Sequence, residues 1–413
     1  MPSITELPCE VVAAILRGLD HLRFLPPTLL ACRHFYTSFK ESHGIEASIV
    51  RHQITPALLP YAVALMEASR LPRPLVASSV LGLLDELYSQ PARLAARVPT
   101  LPTSLVRKMA RTHDTIHALA TDFAASAWAR ISPRGAPTSI ALSPTEYFRF
   151  CRAFYRVELF YTLFRSGAFE NNMNPWFFLR HTPWGNEQLG CVYEQLEAKF
   201  AEASLDVVAH DVELGELSID YLTVGADNQW RQTWLSHGVE SVYKLTTAHS
   251  YDAKRCILQS TLDSSQGRIN LPEALCAVFN DVVDGRTLAE YSQEELHSLA
   301  QRHSDQPDDD NDDTDRGPYE AWRNANADVT LAESLMPIDN AWLRERAYVF
   351  WDEDRVQKLE DGFGEDLGDQ AAYTEQEYED MLESFDARSE VWQKGGRGYW
   401  SRGDTSRVVW PDR

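Results

Sequence analysis

Ser241 and Lys244 come nearest in this chain to the spacing of a nucleophilic catalyst. In a Ser-x-x-Lys pattern the lysine can lower the cost of activating the serine hydroxyl, but the Lys-Thr-Gly motif that accompanies it in penicillin-recognising enzymes is missing. His210 and Asp211 have no further partners in the sequence from which to build a metal site or a triad. The sequence therefore predicts no catalytic residues and no enzymatic activity.

Metal-binding residue types are present, but without the spacing that a site needs. Asp309, Asn311 and Asp313, with Glu320, copy several ligand positions of a calcium loop. The glycine of the sharp turn is replaced by Thr314, and a proline interrupts the next helix, so a solvated acidic linker is the better interpretation. The chain has no Cys-x-x-Cys pair, His-Glu-x-x-His helix, phosphate-binding loop or Rossmann fingerprint. We therefore predict no metal and no cofactor.

The N-terminal residues show the clearest element of structure. Val11, Ile15 and Leu19 recur every four residues, with Val12 and Leu16 beside them, which predicts one helix with an apolar stripe. Pro8 and Glu10 suit its first turn.

A second apolar run follows a break at Asp20-His21 and a Pro26-Pro27 pair, and it includes Leu29, Tyr36 and Phe39. Two or three short helices are expected here. A segment this short cannot bury enough surface alone, so the rest of the chain or another protein must cover it.

These residues, in their order, resemble the F-box. The resemblance lies in Leu7-Pro8-x-Glu10-Val11, Ile15-Leu16 and Leu19, followed by Leu30-Ala31-Cys32-Arg33 and Phe35. It covers about a tenth of the chain, whose wider character is similar to F-box-like proteins of filamentous fungi. The stretch from Leu19 to Cys32 is about one residue longer than the usual pattern, so the second helix is expected to start late.

The resemblance implies a substrate-recruiting adaptor of an SCF-type cullin-RING ubiquitin ligase. The N-terminal module would bind the Skp-type adaptor, and the body would bind a protein target. The residues that this implies for partner binding are Leu7, Pro8, Glu10, Val11, Ile15, Leu16, Leu19, Leu30, Cys32, Arg33 and Phe35.

Composition is that of a globular intracellular protein. The chain has 413 residues, 44% of them hydrophobic, which is enough for two or three domains. Its best apolar stretch, residues 54–66, is too short to span a membrane and contains two prolines. There is no signal-peptide pattern and no Asn-x-Ser/Thr acceptor, and the six cysteines are scattered. We expect a cytoplasmic and/or nuclear protein without membrane contact.

Negative charge is concentrated late in the chain. Residues 305–394 hold 27 acidic and eight basic residues, a net charge of −19 out of −22 for the whole chain. Residues 305–318 are expected to form a disordered acidic linker, since the seven Asp of residues 305–315 repel one another. Residues 319–413 hold six of the eleven Trp. Within them the pattern predicts a docked amphipathic helix over residues 341–359, ended by Gly362 and Gly364.

The body contains the strongest helix signal. Ser143-Pro144-Thr145-Glu146 is a capping box, and apolar residues continue from it at helical spacing. Arg149, Arg152 and Arg156 align on the other side of this helix. A phosphate or nucleic-acid stripe is one interpretation, but the acidic molecule would repel a polyanion. A solvated face, or an internal partner for the acidic tail, is favoured.

The prediction is a mainly α protein. Its parts are an F-box-like module (residues 1–45), a mostly helical body with minor β structure (46–304), the linker (305–318) and the C-terminal segment (319–413). Helical content is expected at residues 57–69, 74–89 and 105–130. Weaker strand signals lie at 207–208, 217–224 and 239–245. Two alternatives stay open: a helical scaffold with no ligase role, whose Ile15 and Leu19 would be buried, and an enzyme with an unrecognised site in the body.

Overall fold

The chain folds almost entirely into helices. The computed structural model describes residues 7–132, 140–165, 174–212, 219, 229–262, 270–282, 285–301, 315–359, 362–364 and 373–411. In these residues it contains twenty α-helices and one two-stranded antiparallel sheet. The predicted mainly α fold class is confirmed.

Four helices and a 3₁₀ turn (Leu22–Phe24) form the N-terminal part. The helices are α1 (Cys9–Arg17), α2 (Leu25–Ala31), α3 (Arg33–Glu41) and α4 (Ile45–Gln53). Helix α1 follows Pro8, carries Glu10 in its first turn and ends at Gly18. Pro26 and Pro27 lie in the first turn of α2, where a backbone N–H has no helical partner to lose. The prolines therefore start the helix rather than delay it.

A small apolar core of its own holds these helices together. Its buried members are Val12, Ala13, Leu16, Leu25, Ile45 and Ile49. Ile49 belongs to α4, which packs on both α1 and the body helix α8 (Thr103–Ile131). This small core thus runs a few residues beyond the boundary predicted at residue 45.

The body consists of the next twelve helices. Besides α8 they are α5 (Leu59–Ala68), α6 (Ala77–Ser89), α7 (Pro91–Ala95), α9 (Pro144–Phe164), α10 (Asn174–Phe178), α11 (Pro183–Val212), α12 (Gln229–Leu235), α13 (Val239–Thr247), α14 (Tyr251–Leu262), α15 (Leu271–Cys276) and α16 (Gln293–Gln301). Short 3₁₀ turns occur at Val98–Thr100 and Leu288–Glu290. The helices predicted at residues 57–69, 74–89 and 105–130 are confirmed as α5, α6 and α8.

Helix α9 lies at the centre, packed against α5, α8 and α11. Its start is the predicted capping box: Ser143 Oγ accepts from the Glu146 backbone N–H (3.0 Å), and Glu146 Oε2 accepts from the Ser143 N–H (2.9 Å). These two bonds satisfy backbone donors that a helix start otherwise leaves open.

The C-terminal segment closes the fold. It contains α17 (Gly317–Ala325), α18 (Ala341–Glu345), α19 (Glu353–Val356), α20 (Glu375–Gln393), β1 (Arg397–Gly398) and β2 (Val408–Val409), with 3₁₀ turns at Leu331–Glu333 and Ile338–Asn340. Its aromatic residues join the main core, which runs from Ala47 to Val408.

One continuous helix over residues 341–359 is a wrong prediction. The structure has α18 and α19, separated by a turn in which Ala347 has a φ of 50°. The turn inserts Phe350 and Trp351 into the core, where the Phe350 ring stacks on Phe150 with 4.3 Å between centroids. The segment docks on the body as expected, but it does so through side chains of a turn rather than through one face of a helix.

The strand predictions also differ from the structure. Residues 207–208 lie in α11 and residues 239–245 in α13, where Val239, Val242 and Leu245 are buried at helical spacing. Residues 217–224 lie outside the described residues apart from Ile219, and so do residues 305–314 of the predicted linker. The disorder predicted for that linker does not extend to residues 315–318, since Gly317 and Pro318 are buried at the start of α17.

Candidate functional site

Helix α1 has two apolar faces, which serve different purposes. Val12 and Leu16 point into the small core and are fully buried. Val11 and Ile15, one turn apart on the other face, remain 44% and 45% exposed. The stripe predicted as one contact surface therefore divides into residues that hold the module together and residues that solvent can reach.

The other predicted residues of this region divide in the same way. Leu7, Leu19 and Phe35 are half-buried and pack on the small core. The Leu7 carbonyl lies 2.8 Å from His34 Nε2, which ties the start of the described chain to α3. Pro8 and Glu10 are exposed at the start of α1.

The junction between α2 and α3 presents a second exposed apolar group. Leu30 is 87% exposed, Cys32 is half-buried between the two helices, and Arg33 is exposed. Tyr36 belongs to the apolar run but was not predicted as a partner-binding residue, yet it is 47% exposed and shares a face of α3 with Arg33 and Lys40. The helical spacing of Arg33, Tyr36 and Lys40 was the available signal.

Polar contacts fix the module to the body. His21 Nε2 lies 2.9 Å from Asp114 Oδ1 on α8, and Gln53 Nε2 donates to the same oxygen (2.7 Å). Arg107 pairs with Glu46 at 2.7 Å, and the hydrogen bond that the guanidinium donates to this carboxylate raises the arginine pKa. These contacts set the orientation of the module while Val11 and Ile15 stay uncovered.

The arginines of α9 form an internal site. Arg149, Arg152 and Arg156 are all buried, so the predicted solvated face is wrong, and no phosphate or nucleic-acid stripe is presented there. Arg149 Nη1 donates to Asp352 (2.7 Å), and Arg149 also faces Asp315 at 3.6 Å. The alternative of an internal partner for the acidic tail is confirmed for Arg149.

Helix α11 receives the same tail through residues that the sequence analysis did not select. Glu187 is fully buried and accepts from the Met336 N–H (2.9 Å), the Tyr348 hydroxyl (3.1 Å) and Arg344 (3.4 Å). Gln188 Nε2 donates to the Val349 carbonyl (2.8 Å). No local pattern pairs residues about 150 positions apart.

A cavity of about 290 Å³ lies in the body where α5, α8, α9 and α13 meet. Ser241 and Lys244 line it, but Ser241 Oγ donates to the His237 carbonyl (3.4 Å) and Lys244 pairs with Glu240 (2.9 Å). The lysine therefore does not contact the serine hydroxyl that it would have to activate.

The described part of the chain holds no group of three or more His, Cys, Asp or Glu side chains placed to bind an ion. The calcium-like run 309–313 lies outside this part, and Glu320 pairs with Arg316 at 2.6 Å. Among the same residues, no helix combines the length and apolar character needed to cross a bilayer.

Comparison with known proteins returns nothing similar. No protein-family model matches the chain, and neither a curated protein nor a solved structure matches it.

Proposed function

We propose that this protein is a substrate-recruiting adaptor of an SCF-type ubiquitin ligase, with helices α1 to α3 binding the Skp-type adaptor. The observation that carries the proposal is the exposed apolar pair Val11 and Ile15 on a helix that already has a buried face. The order of residues resembling an F-box begins at Leu7 and includes this pair.

Covering the exposed apolar side chains of this surface would contribute favourable binding free energy. Apolar area removed from water contributes roughly 25 cal/mol per Å², so covering Val11, Ile15 and Leu30 would contribute on the order of 4 kcal/mol before the costs of association. That is too little for a stable complex by itself, and exposed Phe24, Tyr36 and Arg33 offer further contact area.

The exposure of Ile15 also bears on the scaffold alternative. A module that only packs on its own body would bury Ile15 and Leu19. Ile15 is nearly half exposed and Leu19 is half-buried, while the contacts to α8 come from α4 and the turn before α2. This arrangement supports a surface left available to another protein.

In this role the chain supplies proximity. The ligase subunits carry out ubiquitin transfer, and the body holds a protein target beside the charged enzyme, which raises the effective concentration of the reacting groups.

Co-purification of the full chain with a purified Skp-type adaptor tests the proposal. The variant Val11→Asp/Ile15→Asp places two charges on the exposed face of α1 and leaves Val12 and Leu16 in place. We expect its affinity to fall at least tenfold, because a charge buried in an interface without a partner is costly. Ile338→Asp, a change at a side chain 86% exposed in the C-terminal segment, is the matched control and should bind like wild type.

Thermal unfolding of each variant separates loss of binding from loss of fold. Failure of the folded wild-type chain to bind the adaptor at micromolar concentration contradicts the proposal. Unchanged binding by a folded double variant would show that the exposed face of α1 is not part of the interface.

A further inference from the structure

The cavity between α5, α8, α9 and α13 gathers positive charge in a protein that is strongly negative. Arg73, Lys108 and Arg165 line it from three different parts of the chain, and Lys244 on α13 also lines it. The carboxylates that line it are Glu158 and Glu240. In a chain with a net charge of −22, such a local excess of cations needs a physical reason.

Arg165 is a cation without a carboxylate partner. It is half-buried, and the hydrogen bond of its guanidinium is to His237 Nδ1 at 3.4 Å. Burial lowers its pKa, and the charge of Arg73 lowers it further, against the opposing effect of Glu158. Within the described residues, no carboxylate lies within 4 Å of Arg165 or Lys108, so both retain the capacity to bind an anion.

The two carboxylates of the cavity are engaged elsewhere. Glu158 Oε2 accepts from the Val239 N–H (2.7 Å) at the start of α13, where a negative charge complements the helix dipole. Gly238 makes this fit possible, because a Cβ there would lie 2.1 Å from the same oxygen. Glu240 pairs with Lys244 at 2.9 Å. Among the described residues, neither carboxylate lies within ion-pair distance of Arg165 or Lys108.

Neutral donors complete the lining. Tyr161 and Thr112 contribute hydroxyl groups, and the buried Tyr161 hydroxyl has no hydrogen-bond partner among the residues that the structure describes. Charged forks and hydroxyls together suit a tetrahedral anion with several oxygens.

We propose that this cavity binds a small ligand bearing a phosphate monoester group, with Arg165, Lys108 and Arg73 as its charged contacts. A volume of about 290 Å³ suits a small molecule or a single modified group. One guanidinium would serve a carboxylate, whereas three cations from separate parts of the chain match a dianion. This inference goes beyond the ligase proposal and does not depend on it.

Ligand binding is coupled to protonation of Glu158. Burial raises the pKa of this carboxyl to about 7, against the hydrogen bond from Val239. An anion beside it favours the protonated form, so affinity should fall by up to about tenfold from pH 6 to pH 8. The other charged or titratable groups facing the cavity are Lys108 on α8, Tyr161 on α9, Arg73, Arg165, and His237, Glu240 and Lys244 around α13.

Isothermal titration of the full chain with inorganic sulfate, inorganic phosphate and glycerol 3-phosphate tests the site. Sulfate does not titrate near neutral pH, so the pH dependence of its affinity reports on the protein alone. We expect binding of all three, with glycerol 3-phosphate tightest. Arg165→Met should weaken binding about tenfold, and Arg165→Lys, which keeps the charge but not the fork, should weaken it less.

Glu158→Gln keeps an oxygen to accept the Val239 N–H and removes the ionisable group. It should bind sulfate more tightly than wild type at pH 8 and lose most of the pH dependence. Arg130→Met is the control for charge, since Arg130 pairs with Glu345 and lies 22 residues, or about 33 Å, along α8 from Lys108. It should leave affinity unchanged.

Three results would overturn the inference. The first is no binding of any of these anions at millimolar concentration by the folded protein. The second is equal affinity in wild type and in a folded Arg165→Met variant. The third is tighter binding of succinate than of glycerol 3-phosphate, which would assign the cavity to carboxylates.

Discussion

The two ends of the chain meet the body in opposite ways. The N-terminal module is apolar in sequence, yet it keeps Val11, Ile15 and Leu30 in solvent and reaches the body through α4, which packs on α8, and the polar contacts at His21 and Glu46. Residues 305–394 carry a net charge of −19, yet Trp351 within them is fully buried in the main core. Average composition therefore does not predict which end of the chain is buried against the body.

The difference lies in what the body offers each end. Helices α9 and α11 present buried Arg149, Glu187 and Gln188, and the C-terminal segment supplies the matching partners. Burial of a charge is costly unless a partner and hydrogen bonds compensate it, and here both are present. Within the described residues, no comparable set of side chains covers the exposed face of α1.

Replacing a buried aromatic of the C-terminal segment should have the largest effect. Trp351 packs edge-to-face on Phe150 (5.3 Å) and near Trp128 (6.0 Å). We expect Trp351→Ala to lower the free energy of unfolding by about 3 to 5 kcal/mol in urea denaturation, because it leaves a cavity in the core. Trp410→Ala, at a half-exposed tryptophan, should cost less than about 1 kcal/mol. Equal losses of unfolding free energy in the two variants would contradict the contrast between buried and exposed aromatic residues.

Breaking a buried ion pair should come next. Arg344 is 2% exposed and bridges Glu187 and Glu194, whose attraction outweighs burial and raises the arginine pKa. Arg344→Met leaves buried Glu187 with the Tyr348 hydroxyl and Met336 N–H alone, and should cost about 3 kcal/mol. Arg130→Met, which breaks an exposed pair, should cost at most about 1 kcal/mol. A similar cost for both would show that the C-terminal ion pairs are no more than surface pairs.

Within the N-terminal module, two leucines test which face holds it together. Leu16→Ala should destabilise the module by about 2 to 3 kcal/mol, whereas Leu30→Ala, at an almost fully exposed side chain, should change stability by less than about 0.5 kcal/mol. Hydrogen exchange of the amides of α1 and α3 measures the stability change in each variant. A large loss from Leu30→Ala would mean that this side chain supports the fold rather than a partner surface.

The smallest expected effect is on pH dependence. Burial raises the pKa of Glu194 to about 7, although Arg344 opposes the shift. The folded state therefore retains a proton that the unfolded state loses, so stability falls as pH rises from about 4.5 to about 7 and is constant above. We expect a contribution of roughly 1 to 2 kcal/mol, allowing for solvent near this carboxyl.

Hydrogen exchange of α18 between pH 5 and pH 8, referred to α1 in the same sample, isolates this effect. Protection of α18 should decrease relative to α1 as pH rises, and Glu194→Gln should reduce that decrease. An unchanged slope in the variant would assign the pH dependence to other groups, such as Glu158.

Local signals in the sequence predicted local structure. The Ser143 capping box fixed the start of α9, and the spacing of Val12 and Leu16 fixed the inner face of α1, because helix starts and faces depend on residues three or four positions apart. The turn at Ala347 and the pairing of Glu187 with the tail were not predictable in the same way. They depend on contacts between distant parts of the chain.

The candidate sites show the same division. The sequence selected Val11 and Ile15 as contacts but could not separate them from Leu16, since all three follow one apolar pattern. The cavity at Arg165 had no sequence signal, because its lining comes from α5, α8, α9 and α13 at once.

The Glu146 carboxylate, which completes the capping box of α9, also binds Arg355, 209 residues later (2.6 Å). A ribosome adds roughly 5 to 20 residues per second, so about 10 to 40 seconds pass between synthesis of the two partners. During that interval the nascent chain presents the ring of Phe150 and the guanidinium of Arg149 without their final cover. This side of α9 therefore gains its final cover only after α19 has left the exit tunnel.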